Sequence, residues 1–219
     1  TSDQCFDTGS VSGNYIGLAA NGSALGNGGN GVHISSMDAG LLLIGGTGAG
    51  EGNHIAYNGA AGIRATHGGV GRVSFLANSI SINGALAIDL GGDGRTANDP
   101  SDADTGPNGR QNFPGFSAYT LAPSFDAADF TFNIDSVNTG SNYPMRVDFY
   151  RAIEDEPGQW LGSTSCATSA CSASISFPPA VTLTSSDIVL GVVTDANGKS
   201  SEASFYATTL TITGDSPDP

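Results

Sequence analysis

Lysine and arginine are scarce in this sequence. Seven of its 219 residues are Lys or Arg against 21 Asp and Glu, which gives a formal net charge of −14 at pH 7. Nucleic acids and anionic membrane surfaces bind proteins through clustered Lys and Arg, so neither is expected as a partner. A run of about 18 apolar residues, long enough to span a membrane, is also missing. The composition fits a cation-rich extracellular setting, and Thr1 to Gln4 looks like the start of a mature or excised segment.

Cysteine is rare too, with three residues in the chain. Cys166 and Cys171 lie five residues apart between strand-like segments, a spacing that a disulfide at a hairpin tip can close. The alternative is a pair of reduced thiols in an intracellular protein, and the secreted character of the remaining sequence favours the disulfide. Cys5 is then free, joined to a neighbouring chain, or paired within a longer precursor.

Apolar stripes of helical period are short everywhere, which argues against a helical fold. The 32 glycines indicate an all-β chain with many tight turns, and the first 90 residues contain an internal repeat. Asn53-His54-Ile55 recurs 25 residues later as Asn78-Ser79-Ile80, and the segment 58–63 recurs at 83–88. Fixed periods of this size predict a solenoid.

A looser first copy consists of Asn14-Tyr15-Ile16 and the segment 30–34, separated by an insertion from Leu18 to Gly29. Each copy is expected to supply three short strands, so that about three coils stack roughly 4.8 Å apart as parallel sheet. The asparagines suit the corners, where each amide can bond the copy in the next coil. The insertion is expected to form a loop, and Asn21 in it heads a glycosylation sequon. The predicted inward ladders are Ile16 with Ile55 and Ile80, and Ile34 with Ile63 and Ile88.

The pattern changes after Pro114. Five segments alternate apolar and polar residues and are spaced by turn residues, which predicts an antiparallel β-sandwich. The lone Trp160, beside Leu161, is expected to be a core residue. We therefore divide the chain into a solenoid with its N-terminal segment (1–92), an acidic junction (93–115), a sandwich (116–213) and a polar tail (214–219). A solenoid of three coils needs caps, and the sandwich is a candidate cap for one end.

The junction is unusually rich in acidic residues. Carboxylates at this density repel one another unless a cation or water screens them, and ligand sets made only of oxygen suit Ca²⁺. The sequence Asp-x-Asp-x-Gly-x-Asn from residue 102 alternates oxygen ligands as calcium loops do, although the bidentate Glu of an EF-hand is missing. A solvated linker with Asx turns is the alternative. The predicted Ca²⁺ ligands are Asp93, Asp99, Asp102, Asp104 and Asn108.

The N-x-I and N-G-x-G-I units that end in AIDLGGDG and QNFP resemble the right-handed parallel β-helix segments of large secreted bacterial surface proteins. The resemblance covers about residues 13–116, and the later DANGKSSEAS resembles the end of the Ig-like β-sandwich module that commonly follows. It implies a short right-handed parallel β-helix followed by an Ig-like sandwich, in a cell-surface setting. It also supports calcium at the junction and does not imply an enzyme.

One face of the helix offers charged residues. His33, Arg64 and Asp89 are expected at the same outward position on three successive coils, a candidate ligand face. Pectate-lyase-like enzymes use such a face for proton abstraction, but here Arg64 and Asp89 are expected to pair with each other as an ordinary surface ion pair. The solenoid segment also contains no lysine.

The sequence therefore predicts a non-enzymatic extracellular structural module that associates head to tail into a filament or stalk, stabilised by calcium. Association would proceed through the solenoid ends or by strand addition from the N-terminal segment. An adhesion or carbohydrate-binding module that recognises surface glycans is the first alternative, and a polysaccharide lyase or hydrolase is the second.

Overall fold

The computed structural model describes residues 8–37, 40–66, 68, 71–136, 142–205 and 210–212. The alternatives for Cys5, and the tail at 214–219, lie outside the described residues. Within this part of the chain no helix is long and apolar enough to cross a membrane.

The first half of the chain forms three coils of three short strands each, and the strands stack into three parallel sheets. The strands are β1 (Thr8–Val11), β2 (Tyr15–Ile16), β3 (Val32–Ile34), β4 (Leu41–Gly45), β5 (His54–Ala56), β6 (Ile63–Ala65), β7 (Arg72–Leu76), β8 (Ser79–Ser81) and β9 (Ile88–Leu90). The sheets have the orders β1-β4-β7, β2-β5-β8 and β3-β6-β9. The predicted all-β solenoid of about three coils is confirmed.

The register of the sheets confirms one predicted ladder and corrects the other. Ile16, Ile55 and Ile80 are in register. Ile34, however, pairs with Ala65 and Leu90, whereas Val32 pairs with Ile63 and Ile88. The predicted alignment of Ile34 with Ile63 is therefore wrong by two residues, because the insertion obscures where the first coil resumes the repeat.

Two asparagine ladders fix the corners between coils. In the first ladder the Nδ2 of Asn14 donates to Asn53 Oδ1 at 3.0 Å, and the Nδ2 of Asn53 donates to Asn78 Oδ1 at 2.9 Å. Backbone N–H groups of Asn14 and Asn53 donate to the same oxygens. This confirms the expectation that each corner amide bonds the copy in the next coil, and it satisfies buried polar groups.

The second ladder shows where the first coil re-enters the repeat. Its members are Asn27, Asn58 and Asn83, with Nδ2 to Oδ1 distances of 2.8 Å and 3.0 Å. Asn30, the residue expected at this corner, instead accepts a hydrogen bond from the backbone N–H of Ala61.

Glycine is required beside these ladders. Gly17 and Gly45 have φ of 85° and 86°, a left-handed conformation that L side chains rarely adopt. A Cβ at Gly17 would collide with the carbonyl oxygen of Ala56, and one at Gly45 with that of Leu76. The coils can approach this closely only because no side chain is present.

The insertion at 18–29 is a surface loop, as expected. Leu18 and Ala24 form an isolated antiparallel bridge within it. Asn21 is exposed, and its Oδ1 accepts hydrogen bonds from the backbone N–H and the hydroxyl of Ser23. The sequon is thus accessible at the tip of a turn, and its glycosylation stays a prediction.

The second half of the chain forms two sheets. Its strands are β10 (Gly115–Leu121), β11 (Ala127–Asn133), β12 (Met145–Ile153), β13 (Glu156–Cys166), β14 (Ala170–Ser176), β15 (Val189–Thr194) and β16 (Leu210–Ile212). The sheet orders are β14-β11-β10-β16 and β13-β12-β15. All pairs are antiparallel except β10 with β16, which is parallel. Phe130 and Phe149 stack at 4.5 Å in the core between the sheets.

Cys166 and Cys171 form a disulfide between the end of β13 and the start of β14. Their Cα atoms are 6.0 Å apart, a separation that an ordinary disulfide spans. The bond joins the two sheets of the sandwich, because β13 and β14 belong to different sheets.

The sandwich covers the end of the third coil. Tyr150, Val192 and Ala203 are buried in the same apolar cluster as the solenoid isoleucines, and Trp160 packs against that cluster. Trp160, expected as a core residue, is half-buried and packs against this shared cluster at the contact between the two halves. The predicted cap of one solenoid end is confirmed.

Candidate functional site

The acidic junction begins where β9 ends, and its first acid is occupied by an ion pair. Asp93 Oδ2 lies 2.8 Å from Arg110 Nη2, and Arg110 Nη1 donates to Thr96 Oγ1 at 3.0 Å. The hydrogen bond from Arg110 holds the pKa of the Asp93 carboxyl below its usual range. Asp93 thus closes the loop onto Arg110.

Three of the predicted metal ligands come together. Asp99, Asp102 and Asp104 each place one carboxylate oxygen within 4.8 Å of the others. Ser101 and Asp102 have φ of 65° and 57°, so two consecutive left-handed residues turn the chain tightly between these acids. This acidic triad could hold a metal ion, and its oxygen-only donors suit a hard cation.

The triad is electrostatically strained without a cation. The pKa of Asp102 is raised to about 6, mainly because its carboxyl is buried. The negative charges of Asp104 and Asp99 also raise this pKa. Burial and the charge of Asp99 also raise the pKa of Asp104. Asp104 Oδ1 is buried and has no hydrogen-bond partner among the described residues. A bound cation would satisfy that oxygen and offset the repulsion.

Hydrogen bonds that the sequence did not reveal hold the triad in place. Asp102 Oδ1 accepts the backbone N–H of Asn112 at 2.8 Å, and Asp99 accepts that of Ala103. The side chain of Asn112 bridges the backbone N–H and C=O of Asp99. Asn112 is buried, and its only sequence signal is its place in an asparagine-rich segment.

Asn108, the fifth predicted ligand, lies elsewhere. Its Oδ1 accepts the backbone N–H of Val73 at 2.9 Å, and its Nδ2 donates to the carbonyl oxygens of Val73 and Ser200. Asn108 is 2% exposed and bonds the last coil to the segment that follows β15. Its amide therefore serves the contact between the two halves.

That contact is built from polar groups on the sandwich side which meet the free backbone of the third coil. Ser200 Oγ accepts the N–H of Phe75 at 2.8 Å, and Ser200 N–H donates to the carbonyl of Val73. Glu202 Oε1 accepts the N–H of Leu90 at 2.8 Å, and Glu156 Oε2 accepts that of Asn83 at 3.1 Å.

Burial raises the pKa of Glu156 and of Glu202 to about 7 each. Sequence patterns did not indicate these residues, because their partners are 73 and 112 positions away in the chain.

The candidate ligand face is in register as expected, with His33, Arg64 and Asp89 side by side on β3, β6 and β9. The expected ion pair is not formed, which corrects that expectation. Arg64 Nη2 donates to the carbonyl of Gly92 at 3.2 Å, and Asp89 Oδ1 accepts the N–H groups of Gly92 and Gly94. His33 contacts Thr66 Oγ1 at 3.1 Å. Arg64 and Asp89 thus anchor the start of the junction.

Comparisons with known proteins gave distant similarity among solved structures. No family model matches the sequence, and no curated protein matches it. Among solved structures, the adhesin domain of Epf from Streptococcus pyogenes is similar with a TM-score of 0.33 and 11% sequence identity. The match covers 49% of this chain and 35% of that chain. The similarity is too low to assign a shared fold or activity.

Proposed function

We propose that this chain is a non-enzymatic module of an extracellular bacterial surface protein, a rigid stalk segment that also serves adhesion. The observation that carries the proposal is the closure of the third coil by the sandwich. Ser200 bonds a backbone N–H of β7, and Glu202 bonds one of β9. Glu156 bonds the backbone N–H of the corner residue that follows β8. A flexible linker between independent domains would leave these groups to solvent.

Apolar packing adds stiffness to the same contact. Tyr150, Val192 and Ala203 reach into the solenoid cluster, so the two halves share one core. Buried apolar area contributes about 25 cal/mol per Å². A shared core with a polar frame transmits load from one half to the other, which suits a stalk.

We further propose that Ca²⁺ is the cation held by Asp99, Asp102 and Asp104. The triad lies in the segment that connects β9 to β10. A divalent cation there would lock the connection and leave the outer surface of both halves free for contact with a partner.

Single-molecule force spectroscopy tests the stalk. We expect the whole chain, held between two reference domains, to unfold in one event in Ca²⁺, because the halves share a core. Addition of EDTA should lower the unfolding force. Two separate events of about half the chain each, unaffected by EDTA, would contradict the proposal.

Self-association is the second candidate. Among the described residues, the first-coil strands β1, β2 and β3 are edge strands of their sheets, each paired with one neighbour. Such edges accept a strand from another chain. Because the sandwich covers the third coil, two solenoid ends cannot stack on each other there. The mode of association that we propose is therefore strand addition to the first coil. Negative-stain microscopy with and without chelator tests it: filaments support association, and single particles at every concentration oppose it.

A further inference from the structure

A groove of about 580 Å³ lies between the two halves of the molecule. One wall is the glycine-rich loop 46–52 that follows β4, and the other consists of β12 and β13. Ligand sites typically have volumes of about 300–1,000 Å³. No acidic residue lines the groove within the described part of the chain, although the protein carries a net charge of −14.

The groove contains a cation without a partner. The other five arginines of the chain, Arg64, Arg72, Arg95, Arg110 and Arg146, each donate a side-chain hydrogen bond within the molecule. The side chain of Arg151 lines the groove and has no hydrogen bond or ion pair with any described residue. A guanidinium presents a planar fork of donors that matches a carboxylate.

Two further polar side chains in the groove have no partner. Gln159 Oε1 is buried and accepts no hydrogen bond from the described residues. The imidazole nitrogens of His54, on the solenoid side, also lack a partner there. Buried polar atoms are almost always satisfied by protein, water or a ligand, so Gln159 Oε1 points to an occupant, whereas His54 is exposed and only adds a polar group to the lining.

Aromatic surfaces flank the polar groups. Trp160 is half-buried in the groove, and its Nε1 donates to Asp148 Oδ1 at 2.7 Å, which fixes the orientation of the indole. Tyr15 stacks on His54 with ring centroids 5.0 Å apart and is 51% exposed. Apolar ring faces with a few fixed polar groups are typical of small-ligand sites.

We propose that this groove binds a sugar unit that carries a carboxylate, such as a uronic acid within a surface polysaccharide. Arg151 holds the carboxylate, Gln159 Oε1 accepts a hydrogen bond from a sugar hydroxyl, and the sugar face packs on Trp160. The loop 46–52, which lacks bulky side chains apart from Thr47 and Glu51, lets the ring approach the backbone. Glu51 does not line the groove and forms no ion pair with Arg151, and its Oε2 accepts the N–H of Gly48 at 2.8 Å. The inference names a ligand class for the proposed surface module and rests on that function.

The single tryptophan of the chain makes the site measurable, since all tryptophan fluorescence arises from Trp160. We titrate the whole chain with methyl β-glucuronide and, as its neutral counterpart, methyl β-glucoside, which differs in having a hydroxymethyl group in place of the carboxylate. We expect a saturable change in fluorescence with the glucuronide at an affinity about tenfold higher than with the glucoside.

Two variants assign the effect to Arg151. Arg151→Gln should reduce the affinity for the glucuronide about tenfold, to the level of the glucoside, and leave glucoside binding unchanged. Lys199→Gln removes one positive charge at a residue that does not line the groove and should change neither affinity. Thermal unfolding establishes that both variants are folded.

Equal affinities for the two glycosides, no saturable response, or an unchanged affinity in Arg151→Gln would overturn the site. So would stronger binding of N-acetylglutamate amide, which offers a carboxylate without a sugar ring. These failures leave the stalk intact if the chain still unfolds in one event under force. Glucuronide binding by a chain that unfolds in two events would retain the site and reject the stalk.

Discussion

The corner asparagines illustrate how one side chain holds a coil in place. Asn53 is 1% exposed, and its amide bonds Asn14 above, Asn78 below and the carbonyl of Val11. Each amide offers one acceptor and two donors, so a stacked column satisfies its members in turn. Only a residue with both donor and acceptor at this length serves, which is why asparagine recurs at this corner.

We expect Asn53→Ala to lower the free energy of unfolding by about 2–3 kcal/mol, because it leaves buried partners without hydrogen bonds. Chemical denaturation measures the effect. Asn14→Ala is the matched control at the outer end of the same ladder, where water can replace the lost bonds, and we expect it to cost below about 1 kcal/mol. Equal costs for both variants would show that the ladder does not carry this stability.

At the scale of strands and loops, equal spacing made the second and third coils predictable. Residues 53–63 and 78–88 differ by a constant 25 positions, and the pairs Ile55 with Ile80 and Ile63 with Ile88 follow directly. The first coil carries an insertion, so either Asn27 or Asn30 could occupy the corner that Asn58 occupies in the next coil. Asn27 lies five residues before the strand residue Val32, the same offset as Asn58 from Ile63, and this offset would have identified it.

The contacts between the halves could not be predicted in the same way. Ser200, Glu202 and Glu156 lie in segments without any repeat, and their partners are backbone atoms of distant strands. Local patterns indicate which face of a strand is apolar but not which distant segment covers it. The density of acids did reveal the triad, whereas Asn108 matched the ligand spacing and in fact bonds Val73.

In the junction loop, Asp102→Asn is expected to change the melting temperature in opposite directions in EDTA and in Ca²⁺. In EDTA, Asp102→Asn should raise the melting temperature, since it removes a half-buried charge that two other acids repel. In Ca²⁺ the same variant should lower the melting temperature. Ca²⁺ at a hundredfold excess over Kd raises the free energy of unfolding of the wild type by about 2–3 kcal/mol, and the variant loses this stabilisation. Calorimetry in both buffers measures the pair of shifts.

Asp93→Asn is the control for the junction loop. Asp93 pairs with Arg110 at the surface and is not part of the triad, so the variant should cost about 0–1 kcal/mol and keep the full response to Ca²⁺. A wild-type melting temperature that is the same in EDTA and in Ca²⁺ would remove calcium from the proposed function.

For the whole molecule, the covered third coil determines which surfaces remain for other contacts. Polar and apolar groups of the sandwich occupy that end, and the groove beside Trp160 opens along the same contact. The proposed glycan site and the stiffness of the stalk therefore depend on one interface. Conditions that loosen this interface should weaken both properties together.

Mild alkali is such a condition, because Glu156 and Glu202 lie at the interface with pKa values of about 7, raised from an ordinary 4.5 by burial. A carboxyl whose pKa is higher in the folded state favours folding below pH 4.5, and this contribution is lost as the pH rises through 7. We expect the free energy of unfolding to fall between pH 5 and pH 8, by about 1–2 kcal/mol per carboxyl after solvent screening.

Chemical denaturation in Ca²⁺ at a series of pH values measures this fall in the wild type and in the double variant Glu156→Gln/Glu202→Gln. The double variant keeps an acceptor for each backbone N–H and should show a smaller fall, because both interface carboxyls with pKa values of about 7 are then absent. A fall of the same size in both proteins would contradict the assignment of the pH response to this interface.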